Sequence, residues 1–406
     1  MPSSGELAEK ARRARDKKAA LGPDIDLSRY SSQAEEHPSI DLNSLSKNEQ
    51  ELLTLAGINV TGKSRSGTFV QMDHSVVCSI ASQEGLEVLS TEEALKKYSW
   101  LQDYWWRAVP VDADKYTSQA ELQWTKGYFL RALPGVRSVF PLQACLYLSQ
   151  EGIAQNVHNV VIVEAGAELH IITACTVKPQ VKSGLHIGVT EFYVKKGGKL
   201  TFTMIHNWNE GTAVRPRSAA IVEQDGLFLS NYVCLQPVES IQMYPTAYLE
   251  GENAVARFNS ILLATPESLL DVGARVYLRK PGSRAEVISR AVTRGGKVWV
   301  RGHLIGECPL IKAHMECQGI ILDERGFVHA VPELEALTKD VEMSHEASVG
   351  RIAGEQITYL MARGLSEEEA IATIVRGFLD VRIEGLPPEL QRELDRVAET
   401  SEKYMF

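Results

Sequence analysis

Two stretches of the sequence decide the fold because they repeat one another: "VEAGAELHI" at residues 163–171 and "VKKGGKLTF" at residues 194–202. In each of them, apolar and polar residues alternate on both sides of a turn that contains glycine. The same pattern returns as "VEQDGLFLS" at 222–230, "LDVGARVYL" at 270–278, "VTRGGKVWV" at 292–300 and "LDERGFVHA" at 322–330. Alternation with a period of two residues indicates β-strands that bury one face.

The spacing of the turn glycines indicates how the strands are arranged. These glycines lie 22 to 31 residues apart, at Gly166, Gly197, Gly226, Gly251, Gly273, Gly295 and Gly326. A strand–turn–strand unit that recurs at such intervals is typical of a solenoid. We therefore predict a mainly β protein with a parallel β-helix core over residues 133–335. Its coils should place five glycines at their corners: Gly166, Gly197, Gly226, Gly273 and Gly295. On the pattern alone, an antiparallel sandwich remains the alternative.

Residues 1–132 have an irregular helical pattern and are predicted to form a helical N-terminal domain. The clearest helix, "STEEALKKYSWLQDYWWRAV", starts with Ser90 and Glu93 at the spacing of a capping box. Its aromatic residues, Trp100, Tyr104, Trp105 and Trp106, could stack on nucleic-acid bases. Packing against the next domain is the better interpretation, since no basic groove surrounds them.

Residues 336–406 return to a helical period and are predicted to form a helical C-terminal domain. One helix is expected from about Ala347 to Arg363, with Gly364 suited to end it. The next segment, "LSEEEAIATIVRGFLD", carries one apolar stripe made of Ile371, Ile374, Val375, Phe378 and Leu379. So small a helical set cannot bury this stripe alone. The stripe therefore packs on the β-helix, docks a partner protein, or does both.

Composition excludes several classes of function. A net charge of -9 argues against nucleic acid as the main partner, and no apolar run approaches the roughly 20 residues that a membrane-spanning helix needs. The six cysteines include no CxxC pair, which suits a reducing cytoplasm. The chain also lacks the phosphate-binding GxxxxGK[ST] loop, GxGxxG, HExxH and GxSxG. If ATP is used, another protein must bind it.

One group of residues could handle sulfur. Cys175 is followed 31 residues later by His206, and then by Asn207 and Trp208. A gap near one coil length would place the thiol and the imidazole on neighbouring rungs. Such a pair suits a nucleophile or a sulfur acceptor, because an imidazole can keep a thiol deprotonated. The alternative is a buried and inert cysteine.

A second group could bind metal. It combines thiols, imidazoles and carboxylates, namely Cys308, His314, Cys317, Glu342, His345 and Glu346. Such a set is plausible for iron or zinc, but its spacing is not diagnostic. The alternative for Ser344 to Glu346 is a helix start, with Ser344 as the cap and Glu346 near the positive end of the dipole.

The segment "DVEMSHEASVGRIAGEQITYLMARGLSEEEAIATIVRGFLD" at 340–380 resembles the C-terminal signature of the SufB/SufD family, the scaffold subunits of Suf iron-sulfur cluster assembly. The resemblance extends more loosely through "ACTVKP", "HNW" and the glycine turns, over roughly residues 40 to 400. It implies a right-handed parallel β-helix flanked by helical N- and C-terminal domains, and an assembly scaffold in place of an enzyme. It also implies that a SufC-type ABC ATPase docks on the C-terminal helices at Ile371, Ile374, Val375 and Phe378.

The resemblance further implies roles for single residues. Cys317, with Glu346 and His345, looks like the ligand set of a transient iron-sulfur cluster at a subunit interface. Cys175 looks like the sulfur acceptor inside the β-helix, and His206, Asn207 and Trp208 match a polar residue followed by Asn-Trp. Where the family pattern implies basic residues along the internal sulfur path, this chain departs from it and has Tyr147, Ser149 and Gln224.

The implied partners are a sulfur donor, apoprotein acceptors and a second scaffold subunit in a homodimer or heterodimer. A mixture of B-type and D-type features suggests a single scaffold type, as in archaeal-style systems. Two alternatives stay open. One is a D-type partner whose cluster ligands come mainly from another subunit. The other is a β-helical carbohydrate-active enzyme, although the chain shows no regular acidic ladder.

Overall fold

The computed structural model describes residues 4–55 and 58–379. Strand accounts for 46% and helix for 17%, which confirms the mainly β class, and the strands form a β-solenoid of about eight turns. The helices are short and flank the solenoid, at α1 (Ser4–Ala14), α2 (Lys47–Leu55), α3 (Thr91–Lys97), α4 (Lys115–Leu122), α5 (Gly354–Met361) and α6 (Glu367–Leu379). Short 3-10 segments lie at Leu27–Arg29, Leu42–Ser44 and Ser99–Asp103. In the described ranges, no helix combines the length and apolar character needed to cross a membrane.

Two sheets run along the solenoid, and each coil contributes one rung to each sheet. Sheet A contains, in spatial order, β2 (Ser75–Ala81), β1 (Gly67–Met72), β5 (Leu142–Leu148), β7 (Glu168–Val177), β9 (Lys199–Asn207), β12 (Leu227–Cys234), β15 (Val255–Ala264), β17 (Arg284–Thr293), β19 (Ile311–Ile321) and β21 (Val341–Gly350). Sheet B contains, in chain order, β3 (Leu86–Ser90), β4 (Tyr128–Ala132), β6 (Ala154–Val163), β8 (Gly184–Val194), β10 (Thr212–Val214), β11 (Arg217–Val222), β13 (Ser240–Met243), β14 (Thr246–Leu249), β16 (Leu269–Leu278), β18 (Lys297–Gly306) and β20 (Phe327–Ala336).

Pairing within both sheets is parallel except at one end of the solenoid. There β2 runs antiparallel to β1, and β3 runs antiparallel to β4. All other strand pairs are parallel, for example β7 with β9 and β16 with β18. Two parallel strands that follow one another in a sheet need a crossover connection between them. Here each crossover passes through a strand of the other sheet. The parallel solenoid prediction is therefore confirmed, and the antiparallel sandwich is excluded.

The corner glycines were predicted well with one exception. Gly166 and Gly197 lie where the chain passes from sheet B to sheet A, with φ angles of 67° and 64° that favour glycine. Gly226 lies at the next such corner, and Gly295 at a corner from sheet A to sheet B. Gly273, however, lies in the middle of β16. A Cβ there would come within 2.5 Å of the Arg301 carbonyl oxygen on the next rung, so close approach explains this glycine.

The N-terminal region packs on the outer face of sheet B through a buried carboxylate. Glu191 of β8 is fully buried and accepts hydrogen bonds from the backbone N–H groups of Trp106 at 2.7 Å, Ala108 at 2.5 Å and Val109 at 3.0 Å. The His158 ring bonds the same carboxylate at 2.9 Å and lies 3.7 Å from the Trp105 ring. The aromatic residues of this region thus pack against the solenoid, as the sequence predicted.

The last strand corrects one interpretation of the sequence. Ser344, His345 and Glu346 lie in β21, which pairs with β19 along its length, and α5 starts only at Gly354. The predicted helix from about Ala347 and the helix-start role of Ser344 are therefore wrong. Strands continue to Gly350, past residue 335, and β1 to β4 precede residue 133. The division into three domains at 132 and 335 stays a prediction.

Candidate functional site

The solenoid interior holds the first candidate group. Cys175 of β7 and His206 of β9 are direct register partners on neighbouring rungs, as their separation by one coil length predicts. Both side chains are buried, and Cys175 belongs to the core that fills the solenoid. Cys234 of β12 follows on the next rung as the register partner of His206. Two thiols and an imidazole therefore form one column inside sheet A.

Burial keeps this column uncharged. It raises the pKa of the Cys175 thiol well above its usual value, and the nearby Cys145 adds to the rise. Burial also lowers the pKa of His206 well below its ordinary value, with His186 adding to that effect. A thiolate–imidazolium pair is therefore disfavoured, and Cys175 rests as a neutral thiol. In the resting state this favours the alternative of a buried cysteine, and the role of Cys175 as a sulfur acceptor stays a prediction.

His206 bonds elsewhere in the core. Its Nδ1 lies 2.9 Å from the Tyr232 hydroxyl, and its ring lies 5.6 Å from that of Trp208. His206 Nε2 and Trp208 Nε1 have no hydrogen-bond partner among the described residues. Asn207 follows His206 in β9 and so points to the outer face of the sheet, where it is half-buried. His206 and Trp208 therefore belong to this group, and Asn207 does not.

A column of hydroxyl groups leads from this group to the second candidate cysteine. Tyr232, Ser260, Ser289 and Cys317 are successive register partners on β12, β15, β17 and β19. All four residues are buried, and they adjoin the Cys175 column through the bond from Tyr232 to His206. Cys175 and Cys317 lie five rungs apart, which is about 24 Å.

Sequence reasoning missed these hydroxyl residues, although a signal was present. Each member of the column follows the previous one after an interval of one coil. Counting back from Cys317 by one coil at a time, and keeping to positions that face the interior, reaches Ser289 and then Ser260.

The predicted metal ligands are only partly brought together. Cys317 is buried in the core, and burial raises its pKa to about 12, with Glu316 adding to the rise and Arg290 opposing it. Its register partner on β21 is Ala347, whereas Glu346 is the partner of Glu316. Neighbouring positions of a strand point to opposite faces, so Glu346 lies across the sheet from Cys317. Within one chain, Cys317 and Glu346 therefore do not form a shared ligand pair.

His345 is better placed than Glu346. It is the register partner of Met315, a residue of the solenoid core, so it lies on the Cys317 face of the sheet. His345 is exposed because β21 is the last rung. His314, by contrast, is on the outer face and lies 2.9 Å from the Ser344 hydroxyl. Across residues 4–55 and 58–379, no three His, Cys, Asp or Glu side chains are arranged to hold a metal ion.

Among residues up to 379, the far end of the solenoid is open. In the described part of the chain, β20 and β21 each pair with one strand only, β18 and β19 respectively. Core-facing residues of this last coil are only half-buried, including Ala330, Leu334, Val341 and Met343. Free strand edges beside apolar side chains are surfaces on which another strand can pair.

The predicted docking stripe on α6 is largely used within the chain. Ile371 and Val375 are buried with Leu379 against the outer face of sheet A. They pack there on a patch of aliphatic side chains that we call the outer patch, comprising Ile172, Ile205, Val233, Leu235, Ile261, Leu263 and Val292. Ile374 and Phe378 remain half-buried. Of the two interpretations of the stripe, packing on the β-helix therefore accounts for Ile371 and Val375.

Comparison with known proteins agrees with this architecture. The family described as "SUF system FeS cluster assembly, SufBD core domain" matches residues 146–378. An iron-sulfur cluster assembly SufBD family protein of Methanothermobacter thermautotrophicus is 48% identical over 404 residues, which cover 98% of each chain. A SufBD family protein of Archaeoglobus fulgidus is 48% identical over 87% of this chain and 95% of its own. The SufB protein of Bacillus subtilis is 30% identical over 77% of this chain and 68% of its own.

Proposed function

This chain belongs to the SufBD family of iron-sulfur cluster assembly proteins, and we propose that it is a scaffold that accepts sulfur at Cys175 and helps to hold a transient cluster at Cys317. The observation that carries this proposal is the interior column of hydroxyl groups between the two cysteines. Buried polar side chains are costly in a solenoid that could be filled with aliphatic ones. They are aligned on consecutive rungs, with Cys317 at one end and, at the other, Tyr232 bonded to the His206 that is the register partner of Cys175. This alignment supports a role in sulfur movement.

The first step takes place at Cys175. A donor protein that carries a persulfide transfers its outer sulfur, so that Cys175–SH and R–S–SH become Cys175–S–SH and R–SH. The new S–S bond forms as the donor's S–S bond breaks, and no external oxidant is needed. The Cys175 thiol proton passes to the departing donor sulfur, which leaves as R–SH, and His206 lies on the neighbouring rung as an uncharged side chain. The reaction takes place only while the solenoid admits the donor group, because Cys175 is buried.

The second step needs a partner subunit. A cluster at the open end would take Cys317 and His345 from this chain, with further ligands from a second scaffold subunit. One thiolate per subunit with nitrogen or oxygen ligands holds a cluster less firmly than four thiolates do, which suits release to apoproteins. We retain Glu346 as a ligand only for the assembled state, since within the chain it faces away from Cys317.

A SufC-type ABC ATPase would dock on the C-terminal helices. The side chains of Tyr359 and Met361 on α5 are 59% and 44% exposed, and Ile374 and Phe378 are half-buried. This leaves apolar surface for a partner after α6 has packed on the outer patch. The absence of a phosphate-binding loop in the sequence and the free cysteines suit a cytoplasmic protein that relies on a separate ATPase.

A D-type role is the second candidate. The burial of Cys317 and the outward position of Glu346 favour it, because a D-type subunit would leave most cluster ligands to its partner. The two roles differ in what this chain binds when it is alone.

Anaerobic reconstitution of the purified chain with iron and sulfide separates the roles. A B-type scaffold should bind iron and acid-labile sulfide and should lose most of both in Cys317→Ser, whereas Cys308→Ser is the matched control and should keep them. Cys175→Ser should fail only when sulfur is delivered by a persulfide donor and should load normally with free sulfide. Full loading of Cys317→Ser would refute the cluster site, and no loading of the unmodified chain would favour the D-type role.

A further inference from the structure

The last rung of sheet A is tied closely to the C-terminal helices. Only residues 351–353 separate the end of β21 at Gly350 from the start of α5 at Gly354. The strand β21 pairs with β19 alone in the described part of the chain, and it lies over the buried Cys317 at the open end. Displacement of α5 and α6 from the solenoid would therefore pull directly on the strand that covers this thiol.

A second connection runs through Arg290. This residue of β17 follows Ile261 of the outer patch in register, and Gln318 follows Arg290 on β19. Arg290 Nη2 donates to Glu316 Oε1 at 2.8 Å, and its guanidinium lies 5.6 Å from the centre of the Phe378 ring on α6. The Gln318 amide donates to the same Glu316 oxygen at 2.5 Å. One guanidinium thus contacts both α6 and the strand that bears Cys317.

From this geometry we infer that Arg290 is a positioning residue that ties α6 to β19, and that α6 must leave the outer patch before Cys317 becomes reachable. The contact with Phe378 requires a planar cation over the ring, and the contact with Glu316 requires a donor directed along the sheet; arginine supplies both. Arg290 also marks the boundary of the outer patch on sheet A. Before it in register lies Ile261, an apolar residue of the patch that α6 covers, and after it lie the polar residues Gln318 and Ser348.

Glu316 explains how the effect crosses the sheet. It precedes Cys317 in β19 and points to the opposite face, so fixing the Glu316 side chain fixes the local backbone on which Cys317 is carried. The bond from Arg290 also joins β17 to β19 outside their backbone ladder. While α6 rests on the outer patch, both the penultimate rung and the tethered last rung are held closed. Only the purpose of this device, access to a cluster ligand, rests on the proposed function.

Thiol alkylation of the full chain tests the link without iron, sulfide or a partner. The rate at which iodoacetamide modifies each cysteine is followed by peptide mass spectrometry. Val375→Asp, which puts a charge into the outer patch, should raise the rate at Cys317 by about tenfold or more and leave Cys175 and Cys234 protected. Tyr359→Asp is the matched control, because Tyr359 is exposed on α5, and it should leave the Cys317 rate unchanged.

Variants of the link itself distinguish positioning from general stability. Arg290→Gln and Phe378→Leu should each raise the Cys317 rate several-fold, and the double variant should react no faster than the faster single variant. Arg290→Lys keeps the cation near Glu316 but loses the planar contact with Phe378, so its rate should lie between those of the unmodified chain and Arg290→Gln. If the increases in the Cys317 rate caused by Arg290→Gln and Phe378→Leu multiply in the double variant, the two residues act independently and the proposed link is wrong.

Two further outcomes would also refute the inference. A parallel rise at Cys175 and Cys317 in the Val375→Asp chain would mean that the whole solenoid loosens. An unchanged Cys317 rate in Val375→Asp, with faster amide hydrogen exchange in α6 proving that the helix has moved, would mean that α6 does not govern access. Because alkylation needs no cluster, these results stand whether or not reconstitution supports the scaffold role.

Discussion

At the scale of single residues, one position of strand register separates a correct expectation from an incorrect one. Cys175 and His206 are separated by one coil length and are register partners, so they share the interior. Cys317 and Glu346 are also separated by nearly one coil length, but the register between β19 and β21 pairs Cys317 with Ala347. A shift of one residue moves a side chain to the other face of a sheet. The sequence reveals such spacings but not the length of each corner, which determines the register.

Gly273 provides a residue-scale prediction about close packing between rungs. In Gly273→Ala the new Cβ would meet the backbone carbonyl of Arg301, which cannot move as a flexible side chain could. We expect the free energy of unfolding to fall by about 2 kcal/mol, in the range of overpacked cores. Urea unfolding measures it.

Gly350→Ala is the matched control for Gly273→Ala. Gly350 also lies in a strand, β21, but a Cβ added there would have no other atom within 4 Å. Its replacement should change stability by less than about 1 kcal/mol. Equal losses in the two variants would show that the backbones of β16 and β18 leave room for a methyl group at Gly273.

His186 provides a prediction about pH. Burial lowers its pKa from the ordinary 6.5 to about 3, and its Nδ1 lies 2.9 Å from Gln155 Oε1. Between pH 6.5 and about pH 3, His186 binds a proton in the unfolded chain but not in the folded chain. The free energy of unfolding is therefore highest above pH 6.5 and falls as the pH decreases. One such histidine should lower the free energy of unfolding by about 2 kcal/mol between pH 7 and pH 5.

The measurement compares urea unfolding at the two pH values in the unmodified chain and in His186→Gln, which keeps an amide donor for Gln155. The variant should lose about 2 kcal/mol less between pH 7 and pH 5. The matched control is the same change at an exposed histidine, His329→Gln. An identical slope in His186→Gln and the unmodified chain would contradict a neutral His186 in the core.

At the scale of elements, pairing with neighbours outweighed local helical signals. Ser344 followed by Glu346 has the chemistry of a helix start, yet the segment extends as β21 because β19 offers it a full ladder. The apolar stripe of α6 was predictable from its helical period. The surface that it contacts was not, because the sequence allowed either the β-helix or a partner protein. The row Ile205, Val233 and Ile261 explains the outcome, since it gives α6 an apolar surface across three rungs.

The attachment of the N-terminal region gives an element-scale prediction. Glu191 accepts three backbone N–H groups from residues 106–109, where Trp106 has a φ of 57° that is unusual for a bulky residue. In Glu191→Gln one oxygen becomes an NH₂ group that faces these donors. We expect a loss of about 3 kcal/mol in unfolding free energy.

Glu164→Gln serves as the matched control for Glu191→Gln. Glu164 is half-buried and paired with Arg131 at 2.7 Å on the same sheet. A glutamine there still offers an oxygen to the guanidinium, so removing the charge should cost less than about 1 kcal/mol. Chemical unfolding followed by tryptophan fluorescence measures both variants, since four of the six tryptophans lie between residues 100 and 124. Equal costs would mean that Glu191 does not anchor this region.

At the scale of the whole molecule, the two ends of the solenoid differ. The antiparallel strands β2 and β3 occupy the outermost positions at the first end, whereas the last coil leaves β20 and β21 with free edges in the described part of the chain. The repeat in the sequence predicted the stack of coils, because every coil uses the same alternation. It could not predict that, within residues 4–55 and 58–379, the last coil would be left uncovered, because this coil has the same pattern as the buried ones.

The open end predicts self-association. We expect the purified chain to sediment as a dimer and Leu334→Glu to sediment as a single chain with a nearly unchanged melting temperature, because Leu334 is only half-buried at the end of the core. Leu122→Glu, a change at an exposed leucine of α4, should remain dimeric. A dimer in all three proteins would place the contact elsewhere, and a single chain in all three would require a different partner subunit.

The stacking of register-matched rungs has a consequence for how such chains can diverge. Gain or loss of one complete coil between Cys175 and Cys317 changes their separation by one step of about 4.8 Å and keeps both thiols facing inward. Gain or loss of a single residue within a strand turns one thiol outward. The distance between the two cysteines can therefore change during evolution only by whole multiples of the spacing between rungs.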